Sequence, residues 1–336
     1  MAEAGIGALT EEGSAGADEA FAEIDSLAES ARSSDDLEAR RRLLRLRHAA
    51  GIGLLGGDPE RPQHPSPDFE ALPEVDGLPE IEPEQLTPEL LRAGILRDGC
   101  LLVRGLIDRE DAEEFANRID RAFAEREAEE EGGSAAEGYY EPFEQDPRFQ
   151  GFKRGWVKEG GGLLAPDSPL LAFQMLEMFR AAKLRELVGD YLGEPPLISL
   201  QKTTLRKADP SVAGAWHQDG AFMGDVRSIN LWLSLSRCGD EAPGLDLIPR
   251  RLDELVPVGT DSALLPTQVS DEKAEEAAGS VGVLRPIFEP GDALFFDDLF
   301  LHKTGSDPSM PNPRFAIESW FFGGSAFPDG YAPIAV

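Results

Sequence analysis

The chain changes at Pro196 from helical periodicity to a series of short β-rich runs, and this change most constrains the fold. Seven runs follow, separated by Gly, Pro and Asp: LISLQKTTLR, AGAWHQDGAF, SINLWLSLS, GLDLIP, VLRPIFEP, DALFFDDLFLHKTG and RFAIESWFFG. Short strands between such turn residues are typical of an antiparallel sandwich or barrel. The sequence therefore predicts a β-core over about residues 197–325.

The chain before this core carries the signals of helices. Thr87 is a candidate N-cap because a proline follows it at the expected first position of a helix. Asp108 is a candidate N-cap of a second helix, whose first turn is acidic. A third stretch, residues 168–193, has apolar residues at helical spacing and ends at a glycine followed by two prolines after one further residue. Helices followed by strands predict an α+β fold, in which N-terminal helices flank the β-core.

The composition also divides the chain into two parts. Residues 1–86 are acidic and rich in proline towards their end, so we expect a partly ordered extension. Residues 87–336 are expected to form one domain that combines the β-core with its supporting helices. A content of 41% hydrophobic residues is enough to fill such a core.

The charge of the chain limits the classes of partner. It has 63 acidic and 32 basic residues, a formal net charge of −31. Phosphate groups would be repelled, which argues against nucleic acid or an anionic membrane as a partner. There is no long apolar run and no basic, apolar leader, so we expect a cytoplasmic protein without a membrane partner. The two cysteines lack metal-site spacing and are interpreted as free thiols.

Two of the four histidines lie in the β-core and form a candidate metal site with one aspartate. His217 and Asp219 are two positions apart in WHQDGAF, and on a strand they would point to the same side. His302 follows on a later run, whereas His48 and His64 fall in the N-terminal part. Two imidazoles and one carboxylate on one face of iron(II) leave the opposite face open for a chelating co-substrate and O₂.

A single arginine strengthens this interpretation. Arg314 lies 12 residues after His302 and begins the apolar run RFAIESWFF. A guanidinium binds a carboxylate through two parallel hydrogen bonds and keeps its charge at any working pH. A surface ion pair is the alternative, but the apolar neighbours disfavour it. Arg314 is therefore a candidate for holding the distal carboxylate of 2-oxoglutarate.

Several motifs together resemble the phytanoyl-CoA dioxygenase-like family of Fe(II)/2-oxoglutarate-dependent oxygenases. The likeness covers roughly residues 87–325 and rests on GCLLVRGL, WHQDGAF, INLWLSL, GLDLIP, FEPGDALFFDDLFLHKTG and PRFAIESW. The resemblance implies a double-stranded β-helix, also called a jelly-roll or cupin-like fold. It implies Fe(II), 2-oxoglutarate and O₂ as cofactor and co-substrates.

The resemblance also assigns residues to roles. His217, Asp219 and His302 look like the iron ligands, and Arg314 looks like the residue that holds 2-oxoglutarate. Three further residues match positions near the co-substrate in relatives, namely Gln201, Thr304 and Trp232.

The chain departs from the family pattern in two places. Many members carry a serine two residues after the arginine, where this chain has Ala316, so another group must help to hold the carboxylate. The turn Pro249–Leu252 replaces the Pro-Gly-Ser-His of relatives. Asp219 is retained, which disfavours a halogenase-type relative.

The expected activity is that of a dioxygenase which hydroxylates a C–H bond of a small molecule and releases succinate and CO₂. Desaturation and cyclisation are alternatives that residue types do not separate, and the sequence leaves the primary substrate and the oligomeric state open. A cupin-like hydrolase or isomerase with zinc or manganese would use the same three ligands but would not need Arg314. A non-catalytic jelly-roll binding protein is a third alternative, which the intact ligand set disfavours.

Overall fold

The computed structural model describes residues 9–34, 36–56, 62–75, 77–149, 154–212, 214–261, 263 and 268–336, with side chains from residue 21 onward. The first eight residues of the expected N-terminal extension lie outside this range.

The described residues form nine α-helices, ten β-strands and three short 3₁₀ helices. The helices are α1 (Leu9–Ser33), α2 (Leu37–Gly53), α3 (Pro88–Asp98), α4 (Arg109–Glu130), α5 (Arg154–Glu159), α6 (Pro169–Ala181), α7 (Leu184–Leu192), α8 (Gly220–Met223) and α9 (Asp271–Ala278). The strands are β1 (Glu80–Ile81), β2 (Cys100–Val103), β3 (Gly162–Leu164), β4 (Pro196–Ala208), β5 (Ser228–Ser234), β6 (Gly244–Leu247), β7 (Ala293–Phe296), β8 (His302–Gly305), β9 (Arg314–Gly323) and β10 (Pro333–Ala335). The 3₁₀ helices are Pro83–Gln85, Ala165–Asp167 and Gly324–Ala326.

Eight of the strands form one large sheet in the order β1-β2-β7-β5-β9-β4-β10, with β3 also paired to β4. All pairs are antiparallel except β1 with β2. The other two strands, β6 and β8, form a small antiparallel sheet. Isolated bridges extend the small sheet, among them one between His217 and His302 and one between Leu247 and Leu284.

The large sheet lies between two apolar clusters because its side chains alternate between two faces. The outer cluster joins residues such as Leu231 and Phe321 to the helices, and the inner cluster joins Trp232 and Trp320 to Leu245 of the small sheet. The two sheets therefore face each other across a common interior. The prediction of an α+β fold with a jelly-roll core and flanking N-terminal helices is confirmed.

Local signals in the sequence account for two helix starts. The hydroxyl of Thr87 accepts a hydrogen bond from the backbone N–H of Leu90, and the carboxylate of Asp108 accepts one from Glu110. The prediction of a single helix from 168 to 193 is wrong, since the chain breaks between α6 and α7 at Lys183, which has a φ of 54°. This left-handed residue redirects the chain so that Leu184 is also fully buried.

The N-terminal helices pack on the end of the chain. Leu43 and Ala50 of α2 share a buried cluster with Leu197 and Ala335 on β4 and β10. The Nδ1 atom of the His48 ring lies 2.7 Å from the carbonyl oxygen of Pro333. Helix α2 is therefore docked on the sheet edge, while the division of the chain at residue 86 stays a prediction.

None of the described helices is both long enough and apolar enough to span a membrane.

Candidate metal centre

Three side chains converge between the two sheets. His217, Asp219 and His302 offer ligand atoms that all lie within 4.8 Å of one another, and they form the one such metal-binding group found among the described residues. The Oδ2 atom of Asp219 lies 4.0 Å from Nε2 of His217 and 3.9 Å from Nε2 of His302. An ion between these three atoms would be held on one side.

The backbone brings the two histidines together. The N–H of His217 donates to the carbonyl of His302 at 3.0 Å, and the reciprocal bond measures 3.2 Å. The expectation that Asp219 continues a strand is wrong, because Asp219 has helical backbone angles and immediately precedes α8. Its carboxylate reaches the imidazoles because the chain turns at Gln218 instead of running straight on.

Gln218, which sequence reasoning passed over, fixes that turn. Its buried amide donates to the carbonyls of Leu299 at 2.6 Å and Glu254 at 3.2 Å, and its oxygen accepts from the N–H of Val256 at 2.7 Å. The side chain therefore ties together three segments around the metal motif. Its place in the sequence, between the two candidate ligands His217 and Asp219, was the feature that could have indicated this role.

Both imidazoles are oriented by hydrogen bonds on the ring nitrogen that faces away from Asp219. The Nδ1 atom of His217 lies 2.8 Å from the carbonyl of Ala215, and that of His302 lies 3.0 Å from the carbonyl of Phe300. A carbonyl can only accept, so Nδ1 carries the proton and Nε2 is left as a metal ligand. Burial, with the nearby His217 ring, lowers the pKa of His302 to about 4, so this ring is neutral at neutral pH.

Asp219 has two oxygens in different surroundings. Oδ1 accepts from the Lys202 ammonium at 2.6 Å, whereas Oδ2 is buried and has no hydrogen-bond partner among the described residues. Burial raises the pKa of Asp219, but Lys202 and the two histidines outweigh it and hold that pKa well below its usual value. An ionised, buried oxygen without a partner fits a bound cation.

Arg314 lies in the same interior. Its side chain is 2% exposed, and Nη1 donates to the carbonyl of Gly244 at 3.1 Å. The guanidinium lies 5.3 Å from the centre of the Trp232 ring, and Nε is buried without a hydrogen-bond partner in the described part of the chain. Burial lowers the pKa of Arg314 to about 10, and the described residues form no salt bridge with it. A surface ion pair is therefore excluded, and the geometry fits a carboxylate brought by a ligand.

Of the three remaining predicted residues, two lie near the site and one does not. Thr304 on β8 lines a cavity with His217 and Phe222, and Trp232 stacks near Arg314. Gln201 is not brought to the triad, since its amide oxygen accepts from the N–H of Ala332 at 2.9 Å.

The displacement of Gln201 has a local cause. The pairing of β4 with β9 changes from Ile198 opposite Phe321 to Thr203 opposite Ser319, and an odd shift of this kind exchanges the faces of a strand. The next residue, Lys202, consequently faces the interior in place of Gln201.

Three charged residues of the interior were missed by sequence reasoning. Lys202 contacts Asp219, and Arg206 forms an ion pair with Glu318 in which Nε lies 3.2 Å from Oε2. Burial lowers the pKa of Lys202, but the carboxylates of Asp219 and Glu318 outweigh this effect, so the pKa is raised above its usual value. The signal was present in QKTTLRK, because residues 202, 204 and 206 share one face of a strand.

A cavity of about 440 Å³ opens beside the triad. His217, Phe222, Thr304 and Arg206 line it, together with the turn 158–161 between α5 and β3. The exposed ring of Phe222 and the mixed charges of the wall suit a small ligand with both apolar and polar groups.

Several buried polar atoms on the inner face of the large sheet and on the triad have no partner among the described residues. They include the hydroxyl of Thr204, the amide oxygen of Asn230 and the indole N–H of Trp320, besides Asp219 Oδ2 and Arg314 Nε. Buried polar groups are satisfied in most native structures. These atoms fit an interior completed by a metal ion and a polar small molecule.

Comparison with known proteins agrees with this site. A model of the phytanoyl-CoA dioxygenase family, PhyH, matches residues 95–314, which include the triad and end at Arg314. L-proline trans-4-hydroxylase from Streptomyces griseoviridis is 29% identical over 153 residues, which are 39% of this chain and 57% of the relative. The match thus spans little more than half of that relative's length.

Solved structures with partial similarity include two proteins that bind or depend on 2-oxoglutarate. EctD from S. alaskensis, crystallised with 2-oxoglutarate and 5-hydroxyectoine, has a TM-score of 0.49 and 15% identity, covering 69% of this chain and 74% of EctD. The non-haem α-ketoglutarate-dependent epimerase SnoN from nogalamycin biosynthesis has a TM-score of 0.46 and 17% identity, covering 70% of this chain and 82% of SnoN. The family match covers more than half of the chain, so the chain belongs to the phytanoyl-CoA dioxygenase family.

Proposed function

We propose that the protein is an Fe(II)- and 2-oxoglutarate-dependent dioxygenase that hydroxylates a C–H bond of a small molecule, with release of succinate and CO₂. The observation that carries the proposal is Arg314, a buried guanidinium that no carboxylate of the described residues pairs with, in an interior shared with a two-histidine, one-carboxylate triad. A protein without a carboxylate ligand would bury that charge at a large cost. A cytoplasmic location is part of the same proposal.

His217, Asp219 and His302 would hold the iron through Nε2, Oδ2 and Nε2. The carbonyls of Ala215 and Phe300 keep the two rings in the tautomer that coordination requires. Because the three ligands come from one side, the other coordination positions remain for 2-oxoglutarate and O₂. When bound, the metal and co-substrate supply the oxidising chemistry, and the protein supplies orientation and exclusion of water.

Arg314 would bind the distal carboxylate of 2-oxoglutarate through two of its N–H groups. The guanidinium lies 5.3 Å from the centre of the Trp232 ring, and its Nη1 donates to the carbonyl of Gly244. Ala316, where many relatives have serine, adds no hydroxyl to this carboxylate. Thr304 is the remaining candidate for a hydroxyl contact.

The primary substrate would enter the cavity beside His217. Its volume of about 440 Å³ suits a small molecule, and the Streptomyces relative named above acts on L-proline. Phe222 offers an apolar wall next to the metal site, and Arg206 offers a charged one.

The test is an anaerobic titration of the iron(II)-loaded protein with 2-oxoglutarate, followed by the weak metal-to-ligand charge-transfer band in the visible. We expect the band in the wild type, its loss in His217→Ala, and a higher dissociation constant in Arg314→Met by about 100-fold or more. His64→Ala is the matched control, because His64 lies against Tyr191 and not in the triad.

The absence of the band in the wild type would contradict the co-substrate assignment. A cupin-like zinc or manganese enzyme and a non-catalytic binding protein would then take precedence. An unchanged affinity in Arg314→Met, with the band present, would move the carboxylate site away from Arg314.

A further inference from the structure

The two oxygens of Asp219 are distinguished by a single side chain. Oδ2 points towards the imidazole nitrogens, at 3.9 Å and 4.0 Å, while Oδ1 is held by the Lys202 ammonium at 2.6 Å. A carboxylate can bind a metal through one oxygen or through both. The contact with Lys202 therefore bears on whether Asp219 would bind a metal through one oxygen or through both.

We propose that Lys202 is a positioning residue that restricts Asp219 to coordination through Oδ2 alone. This inference rests on the proposed function. Three coordination positions are needed for 2-oxoglutarate, which takes two, and for O₂, which takes one. If both oxygens of Asp219 bound the iron, one of those positions would be lost. An ammonium on Oδ1 prevents this, because a hydrogen-bonded lone pair in a charged pair is withdrawn from the metal.

The surroundings of Lys202 hold its ammonium in place. Lys202 lies on β4, on the same face as Thr204 and Arg206, and Glu318 is the cross-strand neighbour of Thr204. The ammonium also lies 5.4 Å from the centre of the Phe222 ring. Only 18% of the Lys202 side chain is exposed.

The burial of the Lys202 ammonium lowers the stability of the fold unless its contact with Asp219 serves the metal site. A lysine buried between sheets loses most of its hydration, and long side chains lose rotamer freedom when fixed. Lys207, five residues further on the same strand, shows the ordinary alternative, since its ammonium pairs with Asp120 on α4 outside the interior. Lys202 differs in that its partner is a candidate metal ligand.

The experiment compares Lys202→Met, Lys202→Arg and the control Lys207→Met in the iron(II)-loaded protein. Methionine keeps the length and apolar stem of lysine without a donor, and arginine keeps the donor. Two quantities are measured: the dissociation constant for iron(II), and that for 2-oxoglutarate from the charge-transfer band under anaerobic conditions. Urea unfolding of each variant verifies that it is folded.

We expect Lys202→Met to bind iron(II) at least as tightly as the wild type, since the triad is intact and a neighbouring positive charge is gone. Its dissociation constant for 2-oxoglutarate should rise by about tenfold, with a displaced band maximum. Lys202→Arg should restore both, and Lys207→Met should alter neither. This separation of metal binding from co-substrate binding is the signature of a positioning role.

Two results would overturn the inference. Wild-type affinity and an unchanged band in Lys202→Met would show that Oδ1 needs no donor. Parallel loss of iron and 2-oxoglutarate binding in a folded Lys202→Met would show that Lys202 only maintains the structure of the site. Absence of the band in the wild type would instead refute the proposed function, so the two failures are distinguishable.

Discussion

The two faces of the large sheet differ in function although the same strands form both: the outer face packs against helices, and the inner face lines the candidate site. On β9 the outer residues Ile317 and Phe321 are fully buried against helices and carry only apolar side chains. The inner residues of the same strand include Arg314, Glu318 and Trp320, whose indole N–H has no partner within the described ranges. Adjacent residues on one strand thus point to opposite faces, where they serve either packing or binding.

This difference indicates where the folding free energy resides. The outer face supplies apolar burial, which is the dominant favourable contribution to folding. The inner face contains buried charges and unsatisfied polar atoms, which lower stability until a ligand satisfies them. We therefore expect substitutions on the two faces to change stability in opposite directions.

The largest expected effect is on the outer face. Phe321→Ala removes a fully buried ring that packs 5.7 Å from the ring of Phe179, so we expect a loss of about 3–5 kcal/mol in the free energy of unfolding. Urea unfolding measures this loss. The folded fraction should still bind 2-oxoglutarate like the wild type. A loss below about 1 kcal/mol would mean that the outer face does not carry the stability.

A smaller effect of opposite sign is expected for Arg314→Met on the inner face. Replacing a buried guanidinium that has no salt-bridge partner among the described residues by an apolar side chain of similar length should raise the free energy of unfolding of the ligand-free protein by about 2 kcal/mol. The urea midpoint should increase without a change in its slope. Marked destabilisation would show that the guanidinium has a favourable partner before any ligand binds.

The smallest effect compares two adjacent threonines on opposite faces of β4. The Thr203 hydroxyl lies 3.4 Å from the Ser319 hydroxyl, whereas the buried Thr204 hydroxyl has no hydrogen-bond partner among the residues that the structure describes. Valine has nearly the same shape, so Thr203→Val should cost about 1 kcal/mol and Thr204→Val should gain about 1 kcal/mol. Differential scanning calorimetry of the two variants provides the comparison, and equal signs would contradict it.

Much of the fold could be predicted from the sequence because its signals are local. The N-cap residues Thr87 and Asp108 and the apolar run that begins at Arg314 depend on near neighbours, and the structure has the corresponding helices and strand. The break at Lys183 was not predicted, because the apolar spacing continues across it.

The interior of the site was harder to predict, since it depends on register. Alternation shows that residues 202, 204 and 206 share a face, but not which face meets the metal motif. The irregularity in β4 before Thr203 brings Lys202 inward and leaves Gln201 bonded elsewhere. Pairing of Glu318 with Arg206 likewise requires knowledge of which strands are neighbours.

The reciprocal backbone bonds between His217 and His302 bear on how a metal ion would be held. They close a loop from residue 217 to residue 302, and closing a flexible loop of that length costs about 4 kcal/mol of entropy. The pairing of the two backbones closes this loop through bonds that do not involve the imidazole ligand atoms. The relative placement of the two candidate ligands is therefore set by the β-pairing of the fold.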